Sequence, residues 1–116
     1  MNKELLNIDC KVGVANLVMQ GKWKFGIIHF LSKGTMRFGE LCRAIPNIRQ
    51  GYLTQQLREL EKDGLVHREV YKQVPPKVEY SLTEIGREFL PVTKALYEWG
   101  QKYNNLLHET FKDEIK

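Results

Sequence analysis

Gln50, Tyr52, Thr54, Gln55 and Arg58 fall within one nine-residue stretch and carry side chains suited to reading a nucleic acid. A glutamine amide matches the edge of adenine, an arginine guanidinium grips guanine, and threonine or tyrosine reaches phosphate oxygens or the thymine methyl. Arg49 directly precedes the group, and Glu59, Glu61 and Asp63 close it. Its N-terminal half is therefore the part expected to approach a polyanion. A second set, Lys72, Gln73 and Lys77, surrounds Pro75-Pro76 and offers cations to a phosphate backbone, with Arg68 a few residues earlier. Lys22, Lys24 and Arg37 stand near predicted element starts, where they could also touch phosphates. Taken alone, such residues equally describe a polar surface in water.

Other chemistries find little support. Cys10 and Cys42 are the two cysteines, and with the scattered His29, His67 and His108 they form no metal-ligand spacing. No metal and no cofactor are expected. No glycine-rich phosphate loop, nucleophile elbow or carboxylate pair marks an enzyme, and none is expected. Two cysteines are too few for a disulfide framework, so free thiols in a cytoplasmic protein are the expectation. Cys10 directly precedes a predicted helix, where the helix dipole favours negative charge; Lys11 adds to that and Asp9 opposes it. Cys42 reads as a small core residue.

The elements that must position these groups come from a chain of 116 residues with 42% hydrophobic residues and a net charge of +4. That length fits one domain with an appended helix and excludes a two-lobed enzyme. Residues 33–77 hold nine basic against five acidic groups, whereas residues 78–116 hold five against seven. The basic excess lies in the middle and suggests a polyanion partner there. No run approaches the roughly 18 apolar residues of a membrane span, and the first residues lead into no secretory signal. No membrane partner is expected.

Residues 1–9 read as a loose lead-in. Val12, Ala15, Leu17, Val18 and Met19 suggest a short helix closed by Gly21, and Trp23 to Leu31 a second one ended by Gly34. Thr35-Met36-Arg37 suggests a small strand. Phe38 to Ile45 suggests a third helix, stopped by Pro46. A fourth runs from about Gln50 to Asp63, with Leu53, Leu57 and Leu60 on one face and Gly64 after its end. Residues 65–71 and 78–82 alternate as strands around a proline-bearing loop. Thr83 is placed as an N-cap. Ile85, Phe89, Val92, Leu96, Trp99, Tyr103 and Leu106 then follow at intervals of four and three, a heptad seam. Leu90, Tyr97 and Leu107 widen it, and Pro91 is expected to kink the helix or split it in two. So much apolar surface exceeds what the preceding chain can cover. Val92, Leu96, Trp99, Tyr103 and Leu106 are therefore candidate dimer contacts, the alternative being a helix folded back on its own domain. The fold class is mainly α with a small β-hairpin: a winged helix-turn-helix with an added C-terminal dimerisation helix. Its expected divisions are a lead-in at 1–9, a domain at 10–103 and a tail at 104–116.

Particular blocks also carry a resemblance: Cys10, Gly21-Lys22-Trp23, Arg37-Phe38-Gly39-Glu40-Leu41, the run from Leu53 through Gly64-Leu65-Val66, the run from Val74-Pro75-Pro76 to Leu82-Thr83, Gly86 and Trp99-Gly100. Over roughly residues 10–103 the chain resembles the HxlR family of bacterial winged-helix transcriptional regulators. The resemblance implies a homodimer on a palindromic operator of double-stranded DNA, with the recognition helix at residues 50–63 and the wing at 71–78. It further implies a sensor of oxidants or electrophiles at Cys10, the position several members use; the alternative is a structural thiol. An oxidant or small-molecule effector goes with that reading. The chain departs from the family at Lys11, where proline is frequent, and at Ile48-Arg49-Gln50-Gly51-Tyr52, where Ser-Pro-Lys is frequent. That second departure falls where sequence preference is set, so no relative's operator transfers. A sequence-specific regulator, acting as a homodimeric repressor, is the reading adopted. The alternatives are a winged-helix protein-interaction module without specific DNA binding, against which the basic middle argues, and a small thiol enzyme using Cys10.

Overall fold

Leu53, Leu57 and Leu60 are all buried, and their common stripe decides where their helix lies. A computed structural model describes residues 1–115. A short 3₁₀ helix, Lys3–Asn7, gives the expected lead-in a turn of structure, capped by the side chain of Asn2. Then come α1 (Lys11–Val18), α2 (Lys24–Leu31), β1 (Met36–Arg37), α3 (Phe38–Ala44), α4 (Gln50–Lys62), β2 (Val66–Tyr71), β3 (Lys77–Leu82), α5 (Glu84–Glu88) and α6 (Leu90–Thr110). The three strands form an antiparallel sheet in the order β1-β3-β2, with Met36 opposite Tyr80 and Arg68 also opposite Tyr80.

The core joins Ile27, Ile28 and Leu31 of α2, Leu41 of α3, the leucines of α4, and Val66 and Leu82 of the sheet. Fully burying one such side chain is worth about 1.5–3 kcal/mol. Between α3 and α4 the chain turns through Pro46 and Asn47, and Asn47 takes a φ of 62°, a left-handed conformation that asparagine tolerates. After α4 the chain closes in a Schellman arrangement. Gly64, at φ 84°, donates to the Glu61 carbonyl at 3.1 Å, and Leu65 reaches back to Leu60 at 2.9 Å. Thr83 then joins the end of α4 to the start of α5. Its hydroxyl donates to Gly64 O at 2.6 Å and accepts from the Gly86 amide, while its own amide donates to Leu65 O at 3.0 Å.

Pro91 splits the last helix rather than kinking it. The break falls at Phe89, and Pro91 stands in the first turn of α6, where an amide hydrogen would have had no partner. Ile85 and Phe89 therefore leave the expected seam: Ile85 belongs to α5, and the Phe89 ring stacks on Phe25 of α2 at a centroid distance of 5.8 Å. From Leu90 the helix runs through residue 103 without interruption. Thr93 is its one buried residue among those described.

Candidate nucleic-acid interface

Gln55 and Arg58 project from the face of α4 opposite its leucines and are exposed; Gln50 is exposed in the first turn, seven residues before Leu57 and so in line with the leucines, and Arg49 is exposed at the N-cap position. The other two candidates on this helix are engaged within the chain. Thr54 is half-buried and its hydroxyl donates to the Gln50 carbonyl at 2.9 Å. Tyr52 is half-buried, and its hydroxyl accepts the Lys22 amide at 3.0 Å, which turns it toward the α1–α2 turn.

A groove of about 280 Å³ separates α4 from the sheet, lined by Thr54, Leu57, Arg58, Glu61, Arg68 and Tyr80. It brings the guanidinium-bearing residue of the helix beside that of β2, although ten positions separate them in sequence. The β2–β3 hairpin projects past it. Lys72 and Gln73 stand exposed near its tip, and Val74 is 99% exposed. Lys77 is not free in the same way: its ammonium lies 4.7 Å from the centre of the Tyr71 ring and 3.6 Å from the Glu79 carboxylate. Glu69 and Glu79 face each other across the hairpin, a like-charge pair. Hydrogen bonding to Glu79, and then its charge, raises the Tyr71 phenol above its ordinary pKa, with Glu69 adding to the effect. The hairpin thus carries Lys72 near its tip and both signs of charge along its stem, Arg68 and Lys77 against Glu69 and Glu79. Arg37 is exposed at the N-cap position of α3, and its amide donates to the Glu40 carboxylate at 2.9 Å.

Lys24 corrects the sequence reading. Expected as a phosphate contact, it is 2% exposed, 2.8 Å from Glu59 of α4 and 3.3 Å from the Val18 carbonyl. The signal was present, since Lys24, Ile27, Ile28 and Leu31 keep the i, i+3, i+4, i+7 pattern of one buried face. Gln56, also 2% exposed, was missed in the same way: it lies three residues after Leu53 and four before Leu60, in phase with the leucines. Lys22 is exposed, its ammonium 5.3 Å from the Trp23 ring centre.

Cys10 is an exposed free thiol at the N-cap position of α1, and Cys42 is half-buried against the core. Along α6, Val92, Leu96, Trp99, Tyr103 and Leu106 are all exposed, and the Trp99 and Tyr103 rings stack at 5.2 Å. An open, mostly apolar hollow of about 550 Å³ separates α1 from Leu65, Ile85 and Phe89. Among the described residues, no cluster of His, Cys, Asp or Glu is arranged to hold a metal, and no helix is long and apolar enough to cross a membrane.

Known proteins place this geometry. A family model described as an HxlR-like helix-turn-helix matches residues 18–108, beginning after Cys10. The HTH-type transcriptional regulator YdeP of Bacillus subtilis is 52% identical over 96 residues, covering 83% of this chain and 75% of that protein. Among solved structures, the redox regulator HypR in its reduced form is similar at a TM-score of 0.80 and 49% identity, covering 86% of this chain and 99% of that one. The reduced transcriptional regulator YodB of B. subtilis is similar at 0.71 and 34% identity, over 83% of this chain and 96% of that one.

Proposed function

The chain belongs to the HxlR-like helix-turn-helix family, whose relatives are transcriptional regulators, and from that premise we propose that it regulates transcription as a homodimeric repressor on a palindromic operator. The observation that carries this reading is the shared surface of α4 and the wing. The exposed Gln55 and Arg58 stand beside a groove that also holds Arg68, with Lys72 at the projecting tip. A helix of this diameter fills a major groove, and the basic hairpin tip reaches the neighbouring backbone.

The dimer follows from α6. Its 21 residues carry an exposed apolar seam from Val92 to Leu106 that an identical helix covers by self-complementary packing. Two copies joined there present two recognition helices to half-sites about one helical turn, roughly 10 bp, apart. The protein acts by binding rather than by turnover, in the cytoplasm where its DNA lies. Oxidants are its effectors, acting on Cys10. This is supported by the exposure of that thiol at a helix start and by the likeness to HypR, a redox regulator.

Footprinting on the DNA flanking the protein's own gene tests the reading. The expected result is a protected inverted repeat with half-sites one turn apart, released at high salt. Protection of no discrete site, with binding that is equal on all duplexes, would refute it.

A further inference from the structure

Tyr52, Gln56 and Glu59 follow one another at intervals of four and three, so they share one face of α4. The residues they meet are Gly21 and Lys22 of the short turn between α1 and α2, and Lys24, the first residue of α2. The Lys22 amide donates to the Tyr52 hydroxyl at 3.0 Å. The Lys24 ammonium lies 2.8 Å from the Glu59 carboxylate and also donates to Val18 O, the carbonyl of the last residue of α1. Between them, Gln56 presses on the turn so closely that a Cβ at Gly21 would collide with its Oε1, and Gly21 itself has a φ of 145°. That Oε1 is buried and has no hydrogen-bond partner among the described residues.

An unpartnered buried oxygen is a net loss to stability, and an ion pair with one partner buried has a desolvation cost that offsets much of its attraction. A hydrogen bond and an ion pair on one helix face, with a buried amide packed tightly between them, therefore need another reason. Apolar contacts tolerate sliding and rotation, whereas hydrogen bonds and ion pairs fix direction. Direction matters on this helix. Gln55 immediately precedes Gln56, and Arg58 immediately precedes Glu59. Side-chain ends lie about 5–6 Å from a helix axis, so a rotation of roughly 20° displaces them by roughly 2 Å. That displacement breaks a bidentate contact to a base.

We propose that the Gly21–Lys24 segment is a positioning clamp that sets the rotation of α4, through Tyr52, Gln56 and Glu59, so that Gln55 and Arg58 meet base edges. The proposal rests on α4 being the recognition helix. Lys24 and Gln56 are too deeply buried to touch DNA, so their contribution to sequence discrimination runs through α4 alone. The clamp also joins α1, the helix that starts at Cys10, to the reading face by a continuous path: Val18 O, Lys24, Glu59.

The test uses the full chain, its footprinted operator and a scrambled duplex of the same length, with melting temperatures measured in parallel. Gln56→Met is expected to melt at or above the wild-type temperature and to bind the scrambled duplex as the wild type does. It should lose about tenfold in operator affinity, the scale of one misplaced bidentate contact. Lys24→Met and Tyr52→Phe are expected to show the same loss of operator preference, and they keep the test decisive if Gln56→Met fails to fold. A folded variant set with the wild-type ratio of operator to scrambled affinity would overturn the clamp. So would equal losses on both duplexes in step with lowered melting temperature, the signature of packing alone. Failure of the recognition-helix reading registers separately, as wild-type operator affinity in Gln55→Ala and Arg58→Ala, and removes the clamp's purpose with it.

Discussion

The ammonium of Lys24 and the carboxylate of Glu59 lie 2.8 Å apart, with the lysine 2% exposed and the glutamate side chain 40% exposed. Water reaches one partner and not the other, so the pair is asymmetric under mutation. Removing Glu59 strands a buried charge, whereas removing both leaves an apolar pocket and a surface position.

We therefore expect Glu59→Ala to destabilise the fold by about 2–3 kcal/mol and the double variant Lys24→Met with Glu59→Ala to recover much of that loss. Urea denaturation of the three variants checks it; equal stability of the single and double variants would contradict it.

The same pair sets a pH dependence. A hydrogen bond from Lys24, outweighing burial, holds the Glu59 carboxyl below its ordinary value. A depressed acid stabilises the fold at pH above its unfolded value, about 4.3, and loses that contribution as pH falls through the lower native value. The stability gap between the wild type and Glu59→Gln should be constant above about pH 5 and narrow below about pH 4. Denaturation midpoints from pH 7 to 3 measure this directly, and a gap that widens in acid would show the sign to be wrong.

On the DNA surface, Gln55→Ala and Arg58→Ala should each weaken operator binding by about 1–3 kcal/mol while leaving scrambled duplex little changed. Lys72→Ala should lower affinity on both duplexes and flatten the salt dependence by about one charge. Lys77→Ala should do less than Lys72→Ala, because Lys77 already serves Glu79 and the Tyr71 ring. Mobility-shift titrations at two salt concentrations separate these cases.

For the dimer, Trp99→Glu places a charge in the middle of the α6 seam without disturbing the core, since Trp99 is 63% exposed. Sedimentation should report a monomer with an unchanged circular dichroism spectrum. Operator affinity should fall by about a hundredfold or more, as two linked half-site contacts become independent ones. A Trp99→Glu dimer would move the interface elsewhere.

For the thiol, diamide is expected to change the operator affinity of the wild type by about tenfold, within the usual range of allosteric coupling. Cys10→Ser should abolish the response, and Cys42→Ser, at a half-buried core position, should retain it. Equal responses in wild type and Cys10→Ser would assign the sensor to another group.

Periodicity made much of this molecule legible. The leucine stripe of α4, the strand alternation around Pro75-Pro76 and the glycine after α4 are local signals, and each led to the element found. The polar residues of the interior were harder to read for a physical reason. Lys24 is buried because Glu59, 35 positions later, neutralises it, and no local window contains both. Gln55 and Gln56 are adjacent and chemically identical, yet one faces water and the other the core. Only the phase of the leucines separates them. The heptad spacing misled in one respect, because it ran unbroken through Phe89, where the backbone turns and the ring serves α2 instead. The apolar seam of α6 was legible as spacing, whereas what would meet the wing or react with Cys10 lies outside the chain and leaves no local signal.

Leu65 stands where three parts meet. Its amide ends α4, its carbonyl receives Thr83, and a Cβ on Gly86 of α5 would overlap that same oxygen. The end of α4, the hairpin and the start of α5 thus share a joint one residue wide. Their mutual spacing is settled when the chain folds. A side chain introduced at Gly86 would therefore disturb all three at once.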